Sequence, residues 1–163
     1  MNAEAYTIRP SELVDAERLA EVSRLARGVD GADQRAAISD TDRLVVVAEL
    51  EGSIVGWAKT HHYDESSGSA PAGHYLGGVS VQPEFQHRGI ASALTQARLD
   101  WIFERVSDAW FFTNGQNDAS IALHARFGFT EVARASEFHD VTFDGGTGIL
   151  FGASSVREKL ASD

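Results

Sequence analysis

The chain has 163 residues, 43% of them hydrophobic, and a formal charge of −10 from 24 acidic against 14 basic side chains. That length suits one domain with one substantial core. The negative field disfavours nucleic acid and acidic membrane surfaces and favours cationic partners such as amines. With no cysteine, disulfides, thiolate metal sites and thiol nucleophiles are excluded, so any thiol chemistry must arrive with a cofactor. No apolar run approaches the roughly 18 residues of a membrane span. Met1-Asn2-Ala3-Glu4-Ala5 lacks the basic start and apolar segment of a secretory signal, so a cytoplasmic location is expected.

Tyr6-Thr7-Ile8-Arg9 reads as a first strand stopped by Pro10, with Ser11 placed to cap the next helix. Leu13, Ala16, Leu19, Ala20 and Ser23 or Ala26 recur at helical spacing and predict a helix over 11–26. Gly28 and Gly31 interrupt it before a shorter helix over 32–39. The β-branched run 44–50, the pair Glu51-Gly52 and the run 53–60 predict a hairpin. Residues 64–73 are rich in turn formers and read as an exposed loop.

A buried strand ending at Val81 follows, then Ile90, Leu94, Ala97 and Trp101 mark the apolar face of a helix over 89–106. A strand over 109–113 leads to a helix over 117–127 ended by Gly128. The next strand starts at Phe129. Strands over 137–143 and 147–151, joined by Asp144-Gly145-Gly146, predict a second hairpin. The polar tail 155–163 reads as a frayed end or a last helical turn. The apolar segment Gly148-Ile149-Leu150-Phe151 is expected at a sheet edge, where it would pair in a homodimer.

The strand-to-helix junction carries the clearest chemistry. Gln86-His87-Arg88-Gly89-Ile90-Ala91 fits Q/R-x-x-G-x-G/A. Gly89 lets the backbone approach a phosphate, Ala91 keeps the first turn uncluttered, and a helix N-terminus supplies N–H donors and positive potential. His87 and Arg88 add charge-assisted contacts. The stretch is neither a P-loop nor a G-x-G-x-x-G dinucleotide turn.

This motif, the opening Thr7-Ile8-Arg9-Pro10 and the later Asn117-Asp118-Ala119-Ser120-Ile121-Ala122-Leu123-His124-Ala125-Arg126-Phe127-Gly128-Phe129 together resemble the GNAT superfamily of acyl-CoA-dependent N-acetyltransferases. The resemblance spans nearly the whole chain. It implies an α/β (α+β) fold in a single domain, with a mixed central sheet of about seven strands flanked by about four helices. The strand ending at Val81 would splay from the strand through Phe112, leaving a gap for pantetheine bonded near Val79 and Val81. The pyrophosphate of acetyl-CoA would sit on Gln86, His87, Arg88, Gly89, Ile90, Ala91 and Ser92. Asn117 matches a residue that meets the pantetheine arm, and it equally suits an N-cap.

His124 stands where the family usually has a tyrosine that protonates the departing thiolate, and is the candidate general acid. Glu84 and His74 are candidate bases, with Glu137, His139 and Asp140 as further choices, and a water relay needs no single residue. The implied reaction is direct attack of a primary amine on acetyl-CoA in a ternary complex, because no cysteine carries an acyl intermediate. The expected acceptor is a small polar or cationic molecule, polyamine or aminoglycoside-like, in keeping with the acidic balance of the chain. A protein N-terminus or lysine and a non-catalytic acyl-CoA sensor are the alternatives. No metal is expected: His61 and His62 are adjacent, with no ligand spacing around them.

Overall fold

The computed structural model describes residues 5–155, so the expectation for the tail from 156 onward lies outside the described residues. The chain divides into two compact units, Met1–Thr60 with Gly77–Arg98, and His61–Leu76 with Leu99–Asp163.

In the first unit, β1 (Tyr6–Pro10) pairs antiparallel with β2 (Val45–Leu50). Pro10 does not stop the strand but ends it, opposite Val46. A proline with no N–H to donate is tolerated there because β1 is an edge of the sheet. β2 and β3 (Ser53–Tyr63) form the expected hairpin. Its turn residues Glu51 and Gly52 both take positive φ, at 51° and 82°, which matches the twist of paired strands.

A short 3-10 turn at Leu13–Asp15 precedes α1 (Ala16–Arg27), so Leu13 falls outside the buried stripe and is exposed. Ser11 is not the cap, since its hydroxyl lies 3.4 Å from the carbonyl of Glu12. Glu12 is the N-cap of the turn before α1, and Asp15 closes a capping box with it by accepting from the Glu12 N–H at 2.8 Å. The guanidinium of Arg9 forks onto Asp15 at 2.9 and 3.2 Å and reaches Glu49 at 3.1 Å. The Arg9 hydrogen bond holds the Asp15 carboxyl below its ordinary 3.8, against the opposing effect of burial. A lowered carboxyl pKa stabilises the fold above the ordinary value, and that stability fades as pH falls through the folded value. Asp15→Ala should therefore cost about 1–2 kcal/mol near neutrality, and its deficit in urea unfolding should shrink below pH 3.8.

Leu19 and Val22 of α1, with Ala37 of α2 (Arg35–Ser39), pack on Val45, Val47, Ile54 and Trp57. α1 ends where Gly28, at φ 82°, donates its N–H to the carbonyl of Arg24. On the opposite parity of the strands, Val46, Ala48, Val55, Ala58 and Val81 meet Ile90 and Leu94 of α3 (Ile90–Phe103). Gly56 permits this contact: a Cβ there would come within 3.2 Å of both Ile90 and the Ser80 carbonyl.

β4 (Gly73–Val81) begins in the second unit, where it is parallel to β5 (Asp108–Asn114), with Tyr75 opposite Trp110. β9 (Gly148–Ser154) runs antiparallel to both β5 and β6 (Thr130–Ala135). Phe111, Phe129, Ile149 and Phe151 share a core with Leu99 and Ile102. α4 (Asp118–Ala125) follows β5.

Two expectations are corrected here. Gly148 to Phe151 is not an edge, because β9 is paired on both sides and its first four residues are buried, so it offers no free ladder to a second copy. The chain does turn at Asp144-Gly145-Gly146, with Gly146 donating to Phe143, but the strands on either side are not partners. Residues 137–142 close on themselves instead, β7 (Glu137–Phe138) on β8 (Val141–Thr142), around His139 and Asp140 at φ 48° and 66°. A strand with buried residues on both faces gains more in the sheet interior than in a hairpin with a short exposed neighbour.

The strands run in the order β1-β2-β3-β4-β5-β9-β6, a mixed sheet of seven, and four helices lie among the described residues. No helix of the described residues is long and apolar enough to cross a membrane.

Candidate acetyl-CoA site

The turn from β4 into α3 is built by backbone geometry that few sequences accept. After a 3-10 turn at Pro83–Phe85, His87 takes φ 64° and Gly89 φ 85°. The His87 conformation is strained for an L-residue, and such strain concentrates at ligand clamps. Gly89 adopts its conformation without strain, and its α-carbon lies near Tyr6, whose hydroxyl would stand 3.5 Å from a Cβ. The helical ladder includes Ala93 donating to Gly89 at 3.0 Å. By helix geometry, the N–H groups of the turn before Ala93 point beyond the helix N-terminus, where an anion is favoured. The residues present fit a pyrophosphate: small or glycine at 89, 91 and 92, exposed from 86 to 89, and flanked by two bases, His87 and Arg88.

Individual side chains divide between exposed and structural positions. The Gln86 amide turns back to donate to the Val81 carbonyl at 3.1 Å, tying the turn to β4. Arg88 lies 5.2 Å over the ring of Phe85. Ile90 is core, whereas Ala91 and Ser92 are half-buried. Val79 packs beside the cluster that includes Val81. Glu84 is exposed, 3.5 Å from the Gln82 amide.

Sequence reasoning missed one buried structural side chain of this region, Arg98, which is 0% exposed. Its guanidinium donates to the carbonyls of Lys59 and Gly77, both at 3.0 Å, to Leu94 at 3.2 Å and to the Thr95 hydroxyl at 3.1 Å. Burial pulls this guanidinium below its ordinary pKa. The signal was available: Ile90, Leu94, Arg98 and Ile102 lie four apart on a single stripe.

In the second unit, Asn117 caps α4, its side chain accepting from the Ser120 N–H at 3.2 Å and donating to Thr113 at 3.3 Å. His124 is buried, stacked on Phe111 with ring centres 3.6 Å apart and edge-on to Phe129. Its Nδ1 lies 2.7 Å from the Ser120 carbonyl, which only accepts, so Nδ1 carries the proton. In the neutral ring Nε2 is then an acceptor, and proton donation from it requires the doubly protonated form.

His74 is buried against Trp101 and lies 4.6 Å, ring to ring, from His62. His139 stacks on Tyr63 at 3.8 Å and meets the Tyr75 hydroxyl at 3.2 Å. Burial, then Tyr63, raises the Tyr75 pKa, so this phenol stays protonated while donating to Pro71 at 2.6 Å. Glu137 and Asp140 are exposed. Among the described residues no three His, Cys, Asp or Glu side chains are grouped to hold a metal ion.

Comparison with known proteins agrees with this architecture. Residues 10–129 match the model of the acetyltransferase (GNAT) family. Mycothiol acetyltransferase of Renibacterium salmoninarum is 27% identical over 138 residues, which is 79% of this chain but 35% of that protein. The chain therefore spans about a third of the length of that curated relative. Among solved structures, the ribosomal-protein-S18-alanine N-acetyltransferase from Escherichia coli superposes with a TM-score of 0.71 at 20% identity, covering 92% of this chain and 94% of that one. PaiA N-acetyltransferase from Thermoplasma acidophilum, in complex with coenzyme A, gives 0.70 at 15% identity, covering 93% and 99%. At these identities the superpositions speak for the fold. Because residues 10–129 make up most of the chain, it belongs to the acetyltransferase (GNAT) family.

Proposed function

We propose that this protein transfers the acetyl group of acetyl-CoA to the primary amine of a small polar acceptor, by direct attack in a ternary complex. The observation that carries the reading is the exposed turn at His87 to Gly89, whose two positive φ angles lead the chain into the N-terminus of α3, where an anion is favoured. In this reading the backbone at Val79 and Val81 holds the pantetheine arm, and the residues from Gln86 to Ser92 hold the pyrophosphate. The amine attacks as the neutral base and its proton passes to solvent, for which exposed Glu84 is better placed than the packed ring of His74.

Incubating the protein with acetyl-CoA and a panel of amines should release free CoA. Acetyl-CoA binding without CoA release across the panel would support a non-catalytic sensor instead. His124 serves in this proposal first as packing for Phe111 and Phe129. His124→Phe should leave the kcat–pH profile unchanged and lower stability by about 1 kcal/mol through the lost bond to Ser120. An alkaline limb present in the wild-type profile and lost with a fall in kcat in His124→Phe would return the acid role to this residue.

A further inference from the structure

We propose that Arg27 and Lys59 bind an acid group of the acceptor, so that the amine acetylated by this protein also carries a carboxylate. The inference rests on the acetyltransferase reading and names the acceptor class for it.

The chain is strongly acidic overall, yet cations gather on one face of β3 and β4. Lys59 shares strand parity with Trp57, facing the side covered by α1 and α2. Its ammonium lies 3.3 Å from the Gln34 amide oxygen and 5.9 Å from the Trp57 ring. Arg27, the last residue of α1, reaches β4 and donates to the Ser80 hydroxyl at 2.8 Å. Beside it the strand is bare: Gly78 is exposed, and a Cβ there would stand 3.4 Å from Arg27 Nη2. Burial lowers the Lys59 pKa, and the charges of Arg43 and Arg27 lower it further. Cations held together this way are stabilised by an added anion, and a guanidinium fork is shaped for a carboxylate.

Position along the strand connects this cluster to the chemistry. Gly78 and Ser80 alternate with Val79 and Val81. Gly78 and Ser80 therefore face the Arg27 side of β4 and Val79 and Val81 the side of Ile90 and Leu94, with the backbone proposed to hold pantetheine common to both faces. The overall negative charge attracts the acceptor's amine during approach, and the local cations fix its acid. A polycation would gain from the first effect and be repelled by the second.

The test uses matched amines that differ by an acid: ornithine with putrescine, tyrosine with tyramine, and phosphoethanolamine with ethanolamine. CoA release is followed by kcat/KM, and binding of each amine is followed by calorimetry. The expected result is a preference of about tenfold or more for ornithine and tyrosine over their decarboxylated partners. Arg27→Ala and Lys59→Met should each abolish most of it while the KM for acetyl-CoA stays within about twofold. Gly78→Leu, which fills the bare strand surface, should weaken the same acceptors.

Equal or better use of putrescine and tyramine would overturn the inference and leave the acetyltransferase reading standing. An unaltered preference in both charge variants would also overturn it, and a preference confined to phosphoethanolamine would replace carboxylate with phosphate. If the wild-type protein failed to bind acetyl-CoA, the activity reading would fall. Calorimetry would then decide the acid site alone: binding of ornithine or tyrosine that is lost in the variants supports it, and absence of such binding overturns it.

Discussion

Arg98→Ala should lower stability to denaturant by about 4 kcal/mol, because it opens a cavity and removes the donor shared by two partly buried strand carbonyls. Arg98 is fully buried, and one of its nitrogens bridges Lys59 of β3 to Gly77 of β4. Arg98→Met separates the two effects. Methionine fills much of the volume without donating, so about half of the loss should persist. Removing a buried charge also removes its desolvation cost, which acts in the opposite direction. A methionine variant as stable as wild type would show that this cost outweighs the bonds. With domains stable by only about 5–15 kcal/mol, the alanine variant should be the most sensitive single change to the fold. Urea midpoints at constant slope give the comparison.

Gly89→Val should weaken acetyl-CoA binding by about 10- to 100-fold. Valine at φ 85° is strained by about 1–2 kcal/mol, and its side chain would stand where the turn is proposed to approach a pyrophosphate. Gly128→Val is the control. Gly128 has nearly the same φ, 88°, and nothing within 4 Å of an added Cβ. It should lose similar stability and keep its acetyl-CoA affinity. Equal affinity in the wild type and the Gly89 variant, measured by calorimetry, would remove the phosphate assignment.

Much of the fold was legible because local chemistry and long-range packing agree in those places. Glu51-Gly52 between two β-branched runs dictates a tight hairpin whatever surrounds it, and the structure forms that hairpin with both residues at positive φ. Gly128 after α4 and the glycine of the β4–α3 turn are likewise set by backbone sterics, which are local. The family motif lies on that same turn, so the family followed from the residues themselves.

Tertiary structure alone decided the rest. Periodicity marks Ile90 and Leu94 as core, but it assigns an arginine on the same stripe to solvent unless carbonyls are waiting for it. Those carbonyls belong to residues 39 and 21 positions away. Asp144-Gly145-Gly146 specifies a turn, yet which strands pair is a contest for burial, and β9 wins an interior place between β5 and β6. The cations Arg27 and Lys59 lie far apart in the chain, and only folding brings them to one face of β4 and β3. The sequence by itself determined the backbone turns, the helices and the kind of donor, because these depend on neighbours in the chain. The buried arginine, the strand order and the gathering of Arg27 and Lys59 depend on residues far apart in sequence, and packing settled them.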